Sequence, residues 1–407
     1  MNNMMEPKIR FKGFEGEWKT PSIGEVFELR NGYTPSKAVN AFWEGGTIPW
    51  FRMEDIRTNG GILKDAIQHI TPLAVKGAGL FEKNSIILAT TATIGVHAML
   101  IADSLANQRF TNFKVRKSLS DKYINEFLYY SFFNIDEWSK KNTNTGGLLS
   151  VNMPLLVKQP LYSPCKQEQQ AIATYFTSLD SQISASTSRL ASLKQMKAAS
   201  LQAMFPQEGE TVPKIRFKEF EGEWKKVSFK DFTFHAGTKN RDNLPLESYS
   251  ISNEFGFIPQ NEQFENGGTM TQADKRMYYI VSPNSFAYNP ARINVGSLGY
   301  YEGKEDVIVS SLYEVFKTDD TICDKFLLYW FKTDIFQKMI EQFQEGGVRL
   351  YFFYDKMCKC SLMRPPLAEQ QAIASYFTSL DHQISLQSQR LEKLKQIKSA
   401  CLDKMFV

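Results

Sequence analysis

Apolar residues recur at helical spacing in two long stretches of the chain and at strand-like spacing between them. Residues 168–205 carry Ile172, Phe176, Leu179, Ile183, Leu190 and Leu193 in steps of four, three and seven, the seam of one helix face. Residues 369–406 repeat it with Ile373, Phe377, Leu380, Ile384, Leu391 and Leu394. Pro164 and the pair Pro365-Pro366 stand just upstream, Glu168 and Glu369 favour the positive first turn, and Pro206 closes the first stretch. Each stretch predicts a helix of roughly 38 residues, about 55 to 60 Å long. A rod with one apolar stripe needs cover. A single copy reads as an ordinary core helix, whereas two near-identical copies predict an antiparallel pair about a pseudo-two-fold axis. Ser186 and Gln387 fall on the seam and mark a polar contact or a partner surface.

Between the rods the pattern shortens. Runs at 85–102, 278–301 and 307–316 are rich in strand formers, while 121–133 and 323–344 carry helical spacing. Residues 85–102 are nearly free of charge and long enough to cross a bilayer, but Thr90, Thr91, Thr93, Gly95 and His97 interrupt them. Buried strands are expected there, and no membrane partner.

Repetition extends beyond the rods. Residues 7–18 (PKIRFKGFEGEW) and 213–224 (PKIRFKEFEGEW) differ at one position in twelve. Residues 168–184 and 369–385 differ at two in seventeen. The interiors look unrelated, yet Asn84-Ser85 matches Asn284-Ser285, Ile94-Gly95 matches Val295-Gly296, Phe113-Lys114 matches Phe316-Lys317, Asp121-Lys122 matches Asp324-Lys325, and Gly146-Gly147 matches Gly346-Gly347. The chain is one unit written twice. The predicted fold class is α+β: two pseudo-symmetric globular domains separated by two long antiparallel coiled-coil helices from a tandem duplication. Their boundaries are 1–165 for the first domain, 166–206 for its helix, 207–366 for a linker and the second domain, and 367–407 for the second helix.

Composition narrows the function classes. In 407 residues, 48 Lys+Arg against 44 Asp+Glu leave +4, which permits nucleic-acid binding without announcing it. The surplus is uneven: residues 19–165 hold 16 basic and 12 acidic residues, and 225–366 hold 17 and 18. Five Cys without a CxxC pair and four His without ligand spacing predict no metal site and a reducing compartment. The first residues lack an apolar secretory core, so a cytoplasmic location is expected.

Catalytic signatures are missing. No GxxxxGK[ST] loop occurs, because Gly299 to Lys304 has the wrong spacing. Asn289-Pro290-Ala291-Arg292 lacks the second proline and the aromatic of an amino-methyltransferase loop, and Glu17-Trp18-Lys19, Glu223-Trp224-Lys225 and Glu302-Gly303-Lys304 lack a supporting carboxylate pattern for a nuclease. Recognition remains. In the matched interiors Thr91 stands against Arg292 and Thr93 against Asn294, differing side chains on a common frame. Arg reads guanine, Asn reads adenine and Thr contacts the thymine methyl, although a strand turn with ordinary polar exposure fits the same residues. Further donor-rich loops hold Thr34, Ser36 and Lys37; Gln108 and Arg109; Lys239 and Arg241; and Arg349 and Tyr351.

With the strings GYTPS (32–36), IPWFRMEDI (48–56, containing Arg52) and TGGLLSVNMPLL (145–156), and with two divergent interiors each followed by an EQQAIA helix, the chain resembles the specificity subunit of a type I restriction-modification enzyme. The resemblance implies a non-catalytic reader of double-stranded DNA. Each target recognition domain would bind one half of a bipartite asymmetric site, using the loop residues above and Arg52. The helices would act as spacer and as docking surface for two methyltransferase (modification) subunits that bring S-adenosylmethionine. Restriction/translocase subunits with ATP and Mg would join them, and no cofactor is expected on this chain. Two rivals stay open: an unrecognised DNA methyltransferase or nuclease, and a coiled-coil scaffold with protein ligands only.

Overall fold

A computed structural model describes residues 6–144, 147, 149–253, 255–263 and 274–406. Gly146, matched above to Gly346, and residues 145 and 148 of the TGGLL string lie outside the described residues. The chain divides into two units, residues 1–187 with 389–407, and residues 188–388.

The first unit is built on a sheet whose strands run Phe27–Asn31, Phe110–Val115, Ile86–Ala89, His97–Leu100 and Ile62–Leu63 in spatial order. The expected strand run at 85–102 is thus a hairpin, broken where its threonines and Gly95 stand. Ile86–Ala89 is buried throughout, as a run of apolar residues covered on both faces must be. One face packs on the helix Asn125–Lys141, which extends beyond the predicted 121–133 and buries Phe127, Leu128, Phe132 and Ile135. The other face closes on a smaller sheet containing the strands Ile48–Phe51, His69–Ile70 and Leu105–Ala106.

The second unit repeats the frame. Its strands Thr233–His235, Glu314–Thr318, Ser285–Tyr288 and Leu298–Tyr301 lie in the same order. The registers correspond: Ile86 faces Phe113 in the first unit, and Phe286 faces Phe316 in the second. Asn84 and Asn284 both adopt the left-handed conformation, with φ of 64° and 60°, at the turn that starts each matched strand. The counterpart of the helix Asn125–Lys141 is split into Asp324–Trp330 and Asp334–Phe343. Thr333 ends the first piece by donating its hydroxyl to the Trp330 carbonyl at 2.7 Å and stands at the N-cap of the second. The predicted single helix over 323–344 missed this Thr-Asp start signal. A second sheet of five strands again covers the other face.

The two long helices span Lys166–Ala203 and Leu367–Met405. Within each unit, the first half of one helix runs antiparallel to the last half of the other. In the first unit Tyr175 Oη lies 3.4 Å from Cys401 Sγ, and Lys398 Nζ lies 2.6 Å from Asp180 Oδ1. In the second, Tyr376 Oη lies 3.0 Å from Ser200 Oγ, and Lys197 Nζ lies 2.5 Å from Asp381 Oδ1.

The predicted seam is only partly an interhelical seam. Ile172, Phe176 and Leu179 join the core of the first unit, and Ile373 and Phe377 that of the second, so the start of each rod closes a globular core. Leu380, Leu193 and Leu391 are also buried, but Ile183, Leu190, Ile384 and Leu394 are half-buried. Ser186 and Gln387 are buried. The end of each helix finishes a core as well: Phe406 packs against Trp18, Phe127 and Phe176, and Phe205 against Trp224, Phe326 and Phe377.

Candidate nucleic-acid interface

Antiparallel pairing gathers the variable loops at one end of each sheet. In the first unit Asn31 pairs with Thr111 and Ala89 with Phe110, so the chain leaves two strands and enters a third along one edge. The GYTPS loop follows Asn31, the loop with Thr91 and Thr93 follows Ala89, and Gln108 and Arg109 precede Phe110.

Their backbones are fastened together. Gly32 donates to the Phe110 carbonyl at 2.8 Å and Tyr33 to the Ala106 carbonyl at 2.9 Å. A Cβ on Gly32 would sit 2.3 Å from the carbonyl oxygens of Ala106 and Asn107, so this approach requires glycine. Thr34 donates its hydroxyl to Gln108, and Asn107 donates its N–H to the Phe51 carbonyl, which brings neighbouring Arg52 to the same loop. Thr90 donates to the Arg109 carbonyl at 2.9 Å, while Thr91 bridges to Ser150 of the hairpin that follows the helix Asn125–Lys141. The structure therefore brings Thr34, Arg52, Thr91, Gln108 and Arg109 together. Thr93 is half-buried in the same loop, and Ser36 and Lys37 continue outward, exposed.

Beneath these loops run polar links that sequence reasoning missed. Thr111 donates to Asn31 Oδ1 at 2.9 Å and meets the Thr90 hydroxyl at 3.0 Å. His97 Nδ1 lies 2.6 Å from Asp136 Oδ2, both buried, joining strand to the helix Asn125–Lys141 below the Thr91 loop. Thirty-nine residues separate that pair, and nothing in local spacing points to it.

The second unit has the same layout with other side chains. His235 pairs with Phe316 and Tyr288 with Glu314, and the loop 289–297 leaves the matching strand end. Arg292 and Asn294 are exposed on it. The loop is held by Arg292 N–H to the Asn289 carbonyl at 2.9 Å and Ser297 N–H to the Arg292 carbonyl at 3.1 Å. Phe352 donates to the Pro290 carbonyl at 3.0 Å, which ties the segment after Arg349 and Tyr351 to this loop. Lys239 belongs to the second sheet and Arg241 to the turn that follows it. Lys239 is engaged within its own domain, its Nζ 3.6 Å above the Tyr279 ring and donating to the Met277 carbonyl at 2.9 Å; Arg241 is exposed.

Glu314, at the position matching Thr111, was not foreseen. It lies 3.4 Å from His235 Nε2, and burial pushes its carboxyl above the usual range. Among the described residues no group of three or more His, Cys, Asp or Glu side chains is placed to hold a metal ion, and no helix is long and apolar enough to cross a membrane.

A family model described as the type I restriction modification DNA specificity domain matches the chain twice, at residues 15–195 and 222–396. The chain belongs to that family. The specificity domains also resemble curated relatives in sequence. The EcoprrI specificity subunit of Escherichia coli is 48% identical over 153 residues, 38% of this chain and 38% of the relative. The MjaIX specificity subunit of Methanocaldococcus jannaschii is 30% identical over 169 residues, 40% and 38% of the two chains. The aligned stretches thus span about two-fifths of the length of these relatives. In fold, the two-domain chain is similar to the crystal structure of a type I restriction-modification S subunit from M. genitalium, with a TM-score of 0.60, 13% identity and 99% of each chain covered. A chain from a structural study of type I assembly gives a TM-score of 0.53 at 15% identity, covering 96% of this chain and 97% of that one.

Proposed function

We propose that this chain is the DNA-reading subunit of a type I restriction-modification assembly and carries out no chemistry itself. Each specificity domain reads one half of a bipartite asymmetric site through the loops at its sheet end. The observation that carries this reading is the pairing of a repeated frame with divergent loops: Thr91 and Arg292 leave equivalent strand ends, as do Thr93 and Asn294. Such side chains offer different donors and acceptors to base edges from one scaffold.

The long helices set the distance between half-sites and dock two modification subunits, which bring S-adenosylmethionine. Restriction/translocase subunits bring ATP and Mg. Charge favours this division, because residues 225–366 hold 17 basic against 18 acidic residues and gain little from phosphate attraction alone. The test is methyl transfer from labelled S-adenosylmethionine. The complex with modification subunits methylates one bipartite sequence and the chain alone methylates nothing; transfer by the chain alone refutes the proposal.

A further inference from the structure

In sequence both halves carry two glycines followed by apolar residues: Gly346-Gly347-Val348-Arg349-Leu350 in the second and Gly146-Gly147-Leu148-Leu149 in the first. In the second domain the base of this hairpin is pinned. Glu345 donates to the Tyr351 carbonyl at 2.9 Å and Tyr351 returns a bond at 2.8 Å. Lys356 Nζ sits 2.6 Å from the Glu345 carboxylate, and the Tyr351 ring stacks on Phe353 with centroids 5.4 Å apart and planes within 3°. Gly346 has φ of +132°, and a Cβ there would lie 2.0 Å from the Arg349 carbonyl oxygen, so the reversal depends on glycine.

Above this base the tip is apolar and open to solvent. Val348 has a relative exposure of 104% and Leu350 of 43%. Leu312 and Val295, on loops from the same sheet end, are also exposed. Apolar side chains held outward on a braced turn gain nothing in the free protein, and such a patch points to a bound partner. Charge selects the partner. Exposed Arg349 lies within the tip and exposed Arg292 on the adjoining loop, a cationic rim complementary to phosphate in a domain with no net positive charge.

We propose that Val348 and Leu350 enter the DNA duplex as an apolar wedge at one base step of the second half-site, while Arg349 holds a flanking phosphate. The proposal rests on the DNA-reading function above. The interior of a base stack is the part of a duplex that can bury an apolar side chain, and a side chain inserted at one step unstacks and kinks the helix there. A pinned hairpin has already met the ordering cost that a flexible loop would meet on binding, and β-branched Val348 is stiff.

The test uses the full chain assembled with its modification subunits and duplexes carrying the mapped bipartite site. 2-Aminopurine replaces each purine of the second half-site in turn. The wedge predicts that fluorescence rises at one step with the wild-type complex. The double variant Val348→Ser, Leu350→Ser loses that rise and binds about ten- to a hundredfold more weakly, while Val348→Leu keeps both. Co-purification of the variants with their modification subunits and an unchanged urea unfolding transition report that they fold and assemble. The wedge is overturned if no position brightens with the wild type, or if the rise survives in the double variant. Binding without sequence preference by the wild-type complex would instead remove the DNA-reading function on which the wedge rests.

Discussion

The two specificity domains share the contacts that fasten each to its long helix and part company at the sheet end. Arg10 grips Glu168 at 2.7 and 2.8 Å, and Arg216 grips Glu369 at 2.7 Å through both nitrogens. Gln169 accepts from the Ile124 N–H at 3.0 Å and Gln370 from the Cys323 N–H at 2.7 Å, each also donating to the carbonyl of the proline upstream, Pro164 or Pro365. Tyr130 donates to Asp180 at 2.8 Å, and Tyr329 to Asp381 at 2.9 Å. At the sheet end one domain has a neutral chain of Asn31, Thr111 and Thr90 where the other has a Glu314–His235 pair. Buried, fully paired groups tolerate no single change, whereas exposed loops on a rigid frame tolerate many. The difference separates what holds the half-sites' readers in place from what they read.

If the frame is duplicated in energy as well as geometry, matched substitutions must cost alike. Arg10→Met strands the Glu168 carboxylate, which has 1% side-chain exposure, and Arg216→Met leaves Glu369 with the Trp224 Nε1–H donor at 3.3 Å as its remaining side-chain partner. Each should lower stability by about 3–5 kcal/mol in urea unfolding followed by a probe in its own unit. A loss in only one unit breaks the equivalence. Gln169→Leu and Gln370→Leu remove the partner of a backbone N–H and should each cost about 1–3 kcal/mol. At the reading end, Arg292→Ala should weaken discrimination in the second half-site by roughly 1–3 kcal/mol, leaving the first half-site and the stability of the chain unchanged. The smallest effect concerns the left-handed turns. Asn84→Ala and Asn284→Ala should each destabilise by about 1–2 kcal/mol, with Asn→Gly close to neutral at both places.

Repetition made much of this legible from residues alone. The match of Asn84-Ser85 with Asn284-Ser285 and of Phe113 with Phe316 located equivalent strands, since a one-residue slip would turn every side chain to the wrong face. The rods were legible because a sustained seam has few structural readings. The covering sheets were not, because strands such as His69–Ile70 and Thr238–Lys239 are two residues long and carry no period. The role of the seam was misjudged for a related reason: a stripe of apolar residues says that something covers it, and Phe176 and Phe377 are covered chiefly by their own domains. Of the site, Arg292, Asn294 and Thr91 were placed by alignment of the halves. Glu314 with His235 and His97 with Asp136 depend on residues far apart in the chain.

The central claim is that the frame is common and each domain reads independently. It is tested most directly by replacing residues 19–150 with the corresponding part of a related specificity subunit and mapping methylated sites in cells that express the hybrid with its modification subunits. The account predicts a new sequence in one half of the site, with the other half and the intervening gap unchanged. A hybrid that alters both halves, or neither while remaining active, would contradict it.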